Sequence, residues 1–358
     1  MIEIDGSYLE GGGQILRTAC SLAAITKKPC RVFNIRKNRP KPGLATQHLV
    51  GIQALTQFCN GRVEGDQLGS EEIKFYPGQI YRGRIPVKIP TAGSITLLLQ
   101  TLILPALFAS EPTKISFEGG ATDTFFSPTC DYFQYVFLKI LEKMGAKVEM
   151  DIQRRGYYPE GGAKIETTIH PSKLKCLHLT ERGQLRKILA ISGASEFLKN
   201  KMVAERQLQG VREILGRLKL PIEERVEYYS TQCPGSQICL AAEFSAQGGS
   251  PPEADAPREH ASGGDNTIIG VDNLGKLGKK AEDVGREAAL NLLEEQKTES
   301  CLDRHLADQI LAFMALAGGK SRVTVSEITN HCKTNIWLIE KFAEGKFAIK
   351  ENLISWNS

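Results

Sequence analysis

Apolar residues recur at helical spacing in four stretches of the chain, and each stretch follows a turn rich in small or polar residues. The first has Ile15, Leu16, Ala19, Leu22 and Ala23 after the strand-like MIEID and three glycines. The others are ITLLLQTLILPALF, DYFQYVFLKILEKMG and HLADQILAFMALAGG. The second is apolar on all sides, which is typical of a buried helix. The repetition predicts an α/β (α+β) fold with a large domain built from a repeated helix-on-sheet unit.

The pattern changes between residues 185 and 278, where a strand, a long charged helix and further strands follow one another. We therefore predict a smaller inserted α/β domain at 185–278, and a large domain made of 1–184 and 279–358. Within the insert, residues 245–266 are rich in Gly, Pro, Ser, Ala and Asp and lack large apolar side chains. This composition predicts a mobile surface loop between two strands.

Composition places limits on the class of protein. With 358 residues, 41% of them hydrophobic, the chain can bury a substantial core. A basic region followed by an apolar stretch is missing at the N-terminus, and the apolar run from Ile95 to Phe108 is too short to span a membrane. We therefore expect a cytoplasmic (intracellular) protein. The nine cysteines form no C-x-x-C pair, which favours reduced thiols over zinc, although a Cys233–Cys239 bridge stays open.

Charge is unevenly distributed, although the formal net charge is only +4. No acidic residue occurs between Glu10 and Glu64 in the sequence. The basic residues inside this window are Arg17, Lys27, Lys28, Arg31, Arg36, Lys37, Arg39, Lys41 and Arg62. If they share a face, polyphosphate or nucleic acid is the natural partner. The alternative is that acids from elsewhere in the fold neutralise them.

The glycine run in EGGGQILRT precedes a helix, where free backbone N–H groups bind anions well. It matches neither a Walker loop nor a dinucleotide fingerprint, and Gly319-Lys320-Ser321 lacks the earlier glycine of a Walker loop. Glu10 offers a hard oxygen ligand for Mg²⁺ or Mn²⁺. Gln14 and Arg17 share a helical face, from which Arg17 can pair with a phosphate. A capping glutamate and a surface arginine are the alternative interpretation.

Residues 35–49, IRKNRPKPGLATQHL, form a second basic segment. An extended, proline-interrupted backbone would point Arg39 and Lys41 in one direction, where both could hold one phosphate chain. Gln100 is a single amide in an apolar helix, and a buried amide needs hydrogen-bond partners in the core or on a ligand.

Five separated segments, EGGGQILRT, IRKNRPKPGLATQHL, TAGSITLLLQT, HLADQILAFMALAGG and HCKTNIWLIEKF, closely resemble the RNA 3′-terminal phosphate cyclases. The resemblance covers nearly the whole chain and is weakest across 185–278. It implies a large domain of repeated βαβαββ-type units with a smaller inserted α/β domain.

The resemblance also implies an ATP-dependent ligase reaction in three steps. His331 attacks ATP to give a histidine–AMP intermediate, AMP passes to an RNA 3′-terminal phosphate, and the 2′-OH then displaces AMP to leave a 2′,3′-cyclic phosphate. A neutral imidazole is a competent nucleophile near pH 7, whereas lysine must first lose a proton against a pKa of about 10.4. We expect His331 at a strand end, with Asp308 orienting its ring through a hydrogen bond.

The remaining site residues are implied by the same resemblance. Glu10 would hold Mg²⁺ or Mn²⁺. The nucleotide would contact Gln14, Arg17, Gln47, Gln100, Pro128, His305, Asp308 and Gln309. The triphosphate or the RNA phosphates would contact Arg36, Arg39, Lys41 and His48.

One segment departs from the family pattern. RGYYPEGGAKI, from Arg155 to Ile165, has Ala163 where the family has a third glycine. If that position needs positive φ, the turn must adjust. The main alternative function is an inactive, cyclase-like RNA-binding factor for ribosome assembly, and a carboxyvinyl-type transferase is a weaker one. A homodimer is left open.

Overall fold

The structure is a computed structural model that describes residues 1–80, 83–245 and 266–358. Its helices are α1 (Gly13–Thr26), α2 (Thr46–Phe58), α3 (Ile95–Leu107), α4 (Cys130–Tyr132), α5 (Leu138–Lys143), α6 (Val203–Leu215), α7 (Ala281–Gln296), α8 (Arg304–Leu316) and α9 (Asn330–Ile339). A π-helical turn, Phe133–Phe137, joins α4 to α5.

The strands in the described ranges are β1 (Ile2–Asp5), β2 (Cys30–Phe33), β3 (Arg62–Glu64), β4 (Ile73–Tyr76), β5 (Gly83–Ser94), β6 (Thr113–Ala121), β7 (Lys147–Arg154), β8 (Lys164–His170), β9 (His178–Leu179), β10 (Gln184–Ser195), β11 (Ile222–Tyr229), β12 (Ser236–Ser245), β13 (Thr267–Leu274), β14 (Ser321–Thr324), β15 (Lys346–Lys350) and β16 (Leu353–Asn357).

Three sheets share one topology, with strand orders β1-β2-β4-β3, β5-β6-β8-β7 and β9-β14-β16-β15. In each, the first two strands are parallel and the remaining pairs are antiparallel. Helices α1 and α2, α3 and α4–α5, and α8 and α9 follow the first and second strands of the three units. The predicted repeat of βαβαββ units is therefore confirmed.

The helices follow the apolar pattern closely. Every residue of α3 is buried except Gln100, and the Ser94 side chain caps the helix by accepting a hydrogen bond from the Leu97 N–H at 3.3 Å. The stretch from Asp131 is not one regular α-helix, because the π-helical turn interrupts it. Apolar residues from all three units join one core.

The fourth sheet, β11-β10-β12-β13, lies between β9 and α8 in the chain, with α6 and α7 packed on it. Ile188, Leu208, Ile238 and Leu292 belong to its separate core. Since α7 lies beyond 278 and Leu292 is fully buried there, we propose that the inserted unit extends to Gln296. The loop predicted to be mobile lies outside the described residues, except for Ser245 and Asn266.

The five arginines of the basic window divide into two groups. Arg31 pairs with Glu3 and Glu72, and Arg62 pairs with Glu64, so acids outside the window do neutralise part of it. Arg17, Arg36 and Arg39 instead line a cleft. Across the described residues, no helix is long and apolar enough to cross a membrane.

Candidate active site

A cleft of about 780 Å³ opens where the helices of the three units meet. It is lined by α1, α2, α3, α8 and α9 and by the loops before α1 and α4. Within the described chain, every residue that the sequence predicts for the site contributes to this lining except Lys41. These residues are Glu10, Gln14, Arg17, Arg36, Arg39, Gln47, His48, Gln100, Pro128, His305, Asp308, Gln309 and His331.

His331 is the second residue of α9, so the prediction that it lies at a strand end is wrong. The Thr329 hydroxyl caps this helix by accepting the Cys332 N–H at 3.2 Å, which starts a helix where the pattern suggested a strand. The His331 ring is 43% exposed, and both of its nitrogens have partners. Nδ1 contacts Gln14 Oε1, and Nε2 lies 3.1 Å from Glu10 Oε2.

The Gln14 amide fixes the tautomer of His331. Its Nε2 donates to the His331 backbone oxygen at 3.1 Å and to Asp308 Oδ2 at 3.2 Å. Because a carbonyl oxygen only accepts, the amide nitrogen must face it and Oε1 must face the ring. Oε1 also only accepts, so it faces an Nδ1 that carries the proton, and in the neutral ring the remaining lone pair is on Nε2, which faces the Glu10 carboxylate.

Several effects act on the charge of the His331 ring. Burial is the largest and lowers its pKa, Glu10 opposes this, and Arg17, Arg39 and His305 lower the pKa further. The net result favours the neutral imidazole near pH 7. Nucleophilic chemistry requires this form.

Asp308 does not orient His331 directly, contrary to the prediction. Among the described residues the Gln14 side chain lies between them, bonded to both. The sequence could not reveal this relay because Gln14 reaches His331 and Asp308 only through the fold. Burial raises the pKa of Asp308 to about 7, although Arg17 acts in the opposite direction.

The raised pKa of Asp308 predicts a pH-dependent effect on stability. The pKa of this carboxyl is near 3.9 in the unfolded chain and about 7 in the folded protein, so the folded protein keeps the proton to a higher pH. The contribution of Asp308 to stability therefore falls as pH rises from about 4 to about 7. Asp308→Asn removes this titration. The melting temperature of the variant relative to the original protein should therefore increase between pH 5 and pH 8. A constant or decreasing difference would contradict the assignment.

Arginines line one side of the cleft beside Glu10. Arg39 lies 3.7 Å from Glu10, and Arg36 donates to the Gly43 backbone oxygen at 2.8 Å. Burial lowers the pKa of Arg17 to about 10, which leaves it cationic at neutral pH. This side of the cleft thus places positive charges beside the Glu10 carboxylate, an arrangement suited to phosphate groups and a divalent cation.

Lys41 does not accompany Arg39, so the predicted extended segment is wrong. Arg36 has φ of 54°, and the Arg39 N–H donates to the Arg36 oxygen at 2.9 Å, which curls the segment into turns. The alternation of side chains in an extended strand is lost. Lys41 is exposed outside the cleft lining described above.

His48 is buried against the glycine loop. Its Nδ1 accepts the Ala45 N–H at 3.3 Å, and burial with Arg17 and Arg36 lowers its pKa to about 3. The ring is therefore neutral and carries its proton on Nε2. A Cβ on Gly13 would lie 2.0 Å from that nitrogen, so the glycine is needed for this close approach.

Amide side chains line the opposite part of the cleft. Gln100 Nε2 donates to Gln309 Oε1 at 2.9 Å, and Gln309 Nε2 donates to the His305 oxygen at 2.8 Å. Gln47 Oε1 accepts the Ser94 N–H at 3.3 Å. Gln100 therefore has a hydrogen-bond partner within the protein and also faces the cleft, and its contact with a ligand stays a prediction.

Two further polar residues of the cleft were missed from the sequence. Asn335 donates to the Asp308 backbone oxygen at 2.7 Å, and its position four residues after His331 was a usable signal. Asp272 comes from β13 of the inserted unit and accepts the Thr129 N–H at 2.6 Å. No spacing in the sequence links Asp272 to the cleft, since only the packing of the insert brings it there.

Ala163 does not disturb its turn. Gly161 and Gly162 adopt φ of 73° and 78°, whereas Ala163 pairs with Gly119 and Gly120 through hydrogen bonds of 2.9 and 3.1 Å. Within the described residues, Ala163 is outside the set with positive φ. The departure from the family pattern therefore falls at a position that does not need glycine.

The residues around Glu10 fit a divalent cation that is shared with phosphates. No group of three or more His, Cys, Asp or Glu side chains suited to a metal occurs in the part of the chain that the structure describes. Mg²⁺ commonly binds through one or two carboxylates together with substrate phosphates. The half-buried Glu10 carboxylate beside Arg39 suits that mode.

The three units form an α+β fold whose cleft, with arginines beside a carboxylate, is typical of proteins that bind phosphate groups. The family model described as RNA 3′-terminal phosphate cyclase matches residues 8–349. The chain therefore belongs to the RNA 3′-terminal phosphate cyclase family, a family of enzymes.

Curated relatives that carry the family name cover nearly the same length. The chain is 44% identical to the RNA 3′-terminal phosphate cyclase of Thermococcus kodakarensis, over 98% of this chain and 94% of the relative. It is 43% identical to that of Pyrococcus furiosus, over 98% and 95%, and 40% identical to that of Pyrobaculum aerophilum, also over 98% and 95%.

Proposed function

We propose that the protein uses ATP to convert an RNA 3′-terminal phosphate to a 2′,3′-cyclic phosphate, with His331 as the nucleophile that carries AMP. The observation that carries the proposal is the position of His331 in a cleft lined by arginines, where Gln14 contacts Nδ1 and leaves Nε2 as the nitrogen that faces Glu10. Membership of the cyclase family supports an RNA 3′-terminal phosphate as the substrate and ATP as the co-substrate.

In the first step, the His331 Nε2 lone pair attacks the α-phosphorus of ATP. A nitrogen–phosphorus bond forms, the bond from the α-phosphorus to the bridging oxygen breaks, and pyrophosphate leaves. Gln14 Oε1 keeps the Nδ1 proton in place and stabilises the positive charge that develops on the ring. Arg17 and Arg39 stabilise the charge on the phosphates.

In the second step, an oxygen of the RNA 3′-phosphate attacks the phosphorus of the histidine adduct, and the nitrogen–phosphorus bond breaks. In the third step, the neighbouring 2′-OH attacks the activated 3′-phosphorus, its proton passes to solvent, and the bond from that phosphorus to the bridging oxygen breaks so that AMP leaves. Attachment of AMP supplies the leaving group, and the closeness of the 2′-OH gives the last step its proximity advantage.

We assign Glu10 as the ligand of the Mg²⁺ or Mn²⁺, which would neutralise phosphate charge in the transition state. Its Oε2 lies 3.1 Å from His331 Nε2, and a cation bound to this carboxylate would leave that nitrogen available to ATP. We assign Gln47, Gln100, Pro128, His305, Asp308 and Gln309 to the nucleotide, and Arg36 and His48 to phosphate groups. All of them line the same cleft.

Glu10→Ala should lower metal-dependent adenylation by about 10²-fold, because a metal contact in such a site stabilises the transition state by several kcal/mol. The measurement is a Mg²⁺ and Mn²⁺ titration of adduct formation. Glu3→Ala, an exposed carboxylate in the same unit, is the matched control. Unchanged adenylation across the titration would remove Glu10 from the metal site.

The function is tested by incubating the protein with ATP labelled at the α-phosphate, and then with RNA that ends in a 3′-phosphate. We expect an acid-labile, alkali-stable protein adduct, followed by release of AMP and a cyclic end on the RNA. RNA binding without an adduct would instead support the inactive ribosome-assembly factor. A homodimer stays a prediction that sedimentation of the purified protein would test.

A further inference from the structure

Two phenylalanines of the cleft lining, with a tyrosine and a lysine that contact one of them, form a group that we call the aromatic rim (Phe125, Phe126, Tyr158 and Lys276). Phe126 is fully exposed and has φ of 63°. A bulky residue rarely adopts positive φ, and burial does not stabilise a phenylalanine side chain that is fully exposed. Packing within the protein therefore does not explain Phe126.

The other members of the rim come from separate segments. The Phe125 and Tyr158 rings meet edge to face, with centroids 6.3 Å apart. Lys276 follows β13 of the inserted unit, and its Nζ lies 5.3 Å from the centre of the Phe125 ring. Tyr158 is 61% exposed, so the rim presents open aromatic surface next to a cation.

The rim is continuous with the site of the proposed reaction. Phe125 and Phe126 line the same cleft as His331. The insert is fixed to this wall by Asp272, which accepts the Thr129 N–H. An RNA whose terminal phosphate reaches His331 must carry its preceding nucleotides out through the mouth of the cleft.

We propose that the aromatic rim binds the single-stranded 3′ end of the RNA, with a base stacked on Phe126 and Lys276 paired with a backbone phosphate. The inference rests on the proposed function and assigns a substrate-binding role to the inserted unit. Aromatic faces bind any base, and a neighbouring cation serves the phosphates, which is the usual chemistry of single-strand binding. Charge complementarity with RNA favours this occupant over an apolar protein surface.

The test uses short single-stranded RNAs with a 3′-phosphate and 2-aminopurine at one of the last four positions. Binding to the original protein should quench the fluorescence at one or two of these positions. Phe126→Ala should abolish that quenching and weaken RNA binding by about 10-fold, whereas Phe126→Trp should restore both. Phe108→Ala removes an exposed phenylalanine outside the cleft lining and is the control.

Salt dependence tests Lys276 separately. Lys276→Ala should reduce the slope of log Kd against log salt by about 0.7, as expected for the loss of one phosphate contact with single-stranded RNA. An unchanged slope would overturn the assignment of Lys276.

Unchanged RNA affinity and unchanged quenching in Phe126→Ala would overturn the proposed role of the aromatic rim. A shift of Phe126→Ala to a smaller oligomer without RNA would make the rim a contact between copies of this chain and would also overturn it. Adduct formation with ATP alone is measured on the same preparations. If the original protein forms no adduct, the proposed function fails whatever the RNA result.

Discussion

His331→Ala is expected to abolish the covalent AMP adduct, with a loss of about 10³-fold or more in the rate of RNA cyclisation. The substitution removes the only atom to which AMP is proposed to attach, and without this intermediate the difficult displacement is no longer divided into two easier ones. The measurement is retention of the α-phosphate label on the denatured protein. Peptide mapping of the labelled original protein locates the adduct.

His178→Ala is the matched control, since His178 is exposed in β9 and lies outside the cleft lining of the described chain. It should retain both the adduct and cyclisation. An adduct that persists in His331→Ala would transfer the nucleophilic role to another residue.

Gln14→Leu should lower the rate of adduct formation by about 10²- to 10⁴-fold, although no reacting atom is removed. Gln14 Oε1 holds the Nδ1 proton, and its loss allows the proton to move to Nε2, where it blocks the lone pair. Loss of the correct tautomer has effects of this size where an imidazole acts in catalysis. Single-turnover labelling measures the rate, and leucine keeps most of the side-chain volume.

Asp308→Asn separates the relay from direct action. An asparagine oxygen can still accept the Gln14 Nε2–H bond, so this variant should lose less than about 10-fold in the same assay. A larger loss in Asp308→Asn than in Gln14→Leu would show that the carboxylate acts by its charge and that the amide relay is unimportant.

Local patterns predicted the elements and most of the cleft. The apolar spacing of α1, α3 and α8 identified three helices, each the first of its unit, and motif resemblance located His331, Glu10 and the amides. Apolar spacing predicts these helices because residues three or four positions apart share a helical face whatever the rest of the fold is. The start of α9 was missed because it is determined by the Thr329 cap and not by an apolar pattern.

Features that depend on contacts between distant segments could not be predicted. The Gln14 amide joins residues that are about three hundred positions away in the chain. The turns after Arg36 depend on its positive φ, which residue type did not indicate. Asp272 enters the cleft only because the inserted unit packs beside Thr129.

The three-unit architecture has an evolutionary consequence. Gln14 and Arg17 belong to the first unit, Gln100 to the second, and Asp308 and His331 to the third, so no single unit contains the cleft. An ancestor with one βαβαββ unit could have enclosed such a cleft only by assembling three copies of itself. Duplication within one gene would then let each copy specialise, with the proposed nucleophile in the third unit and the proposed metal ligand in the first.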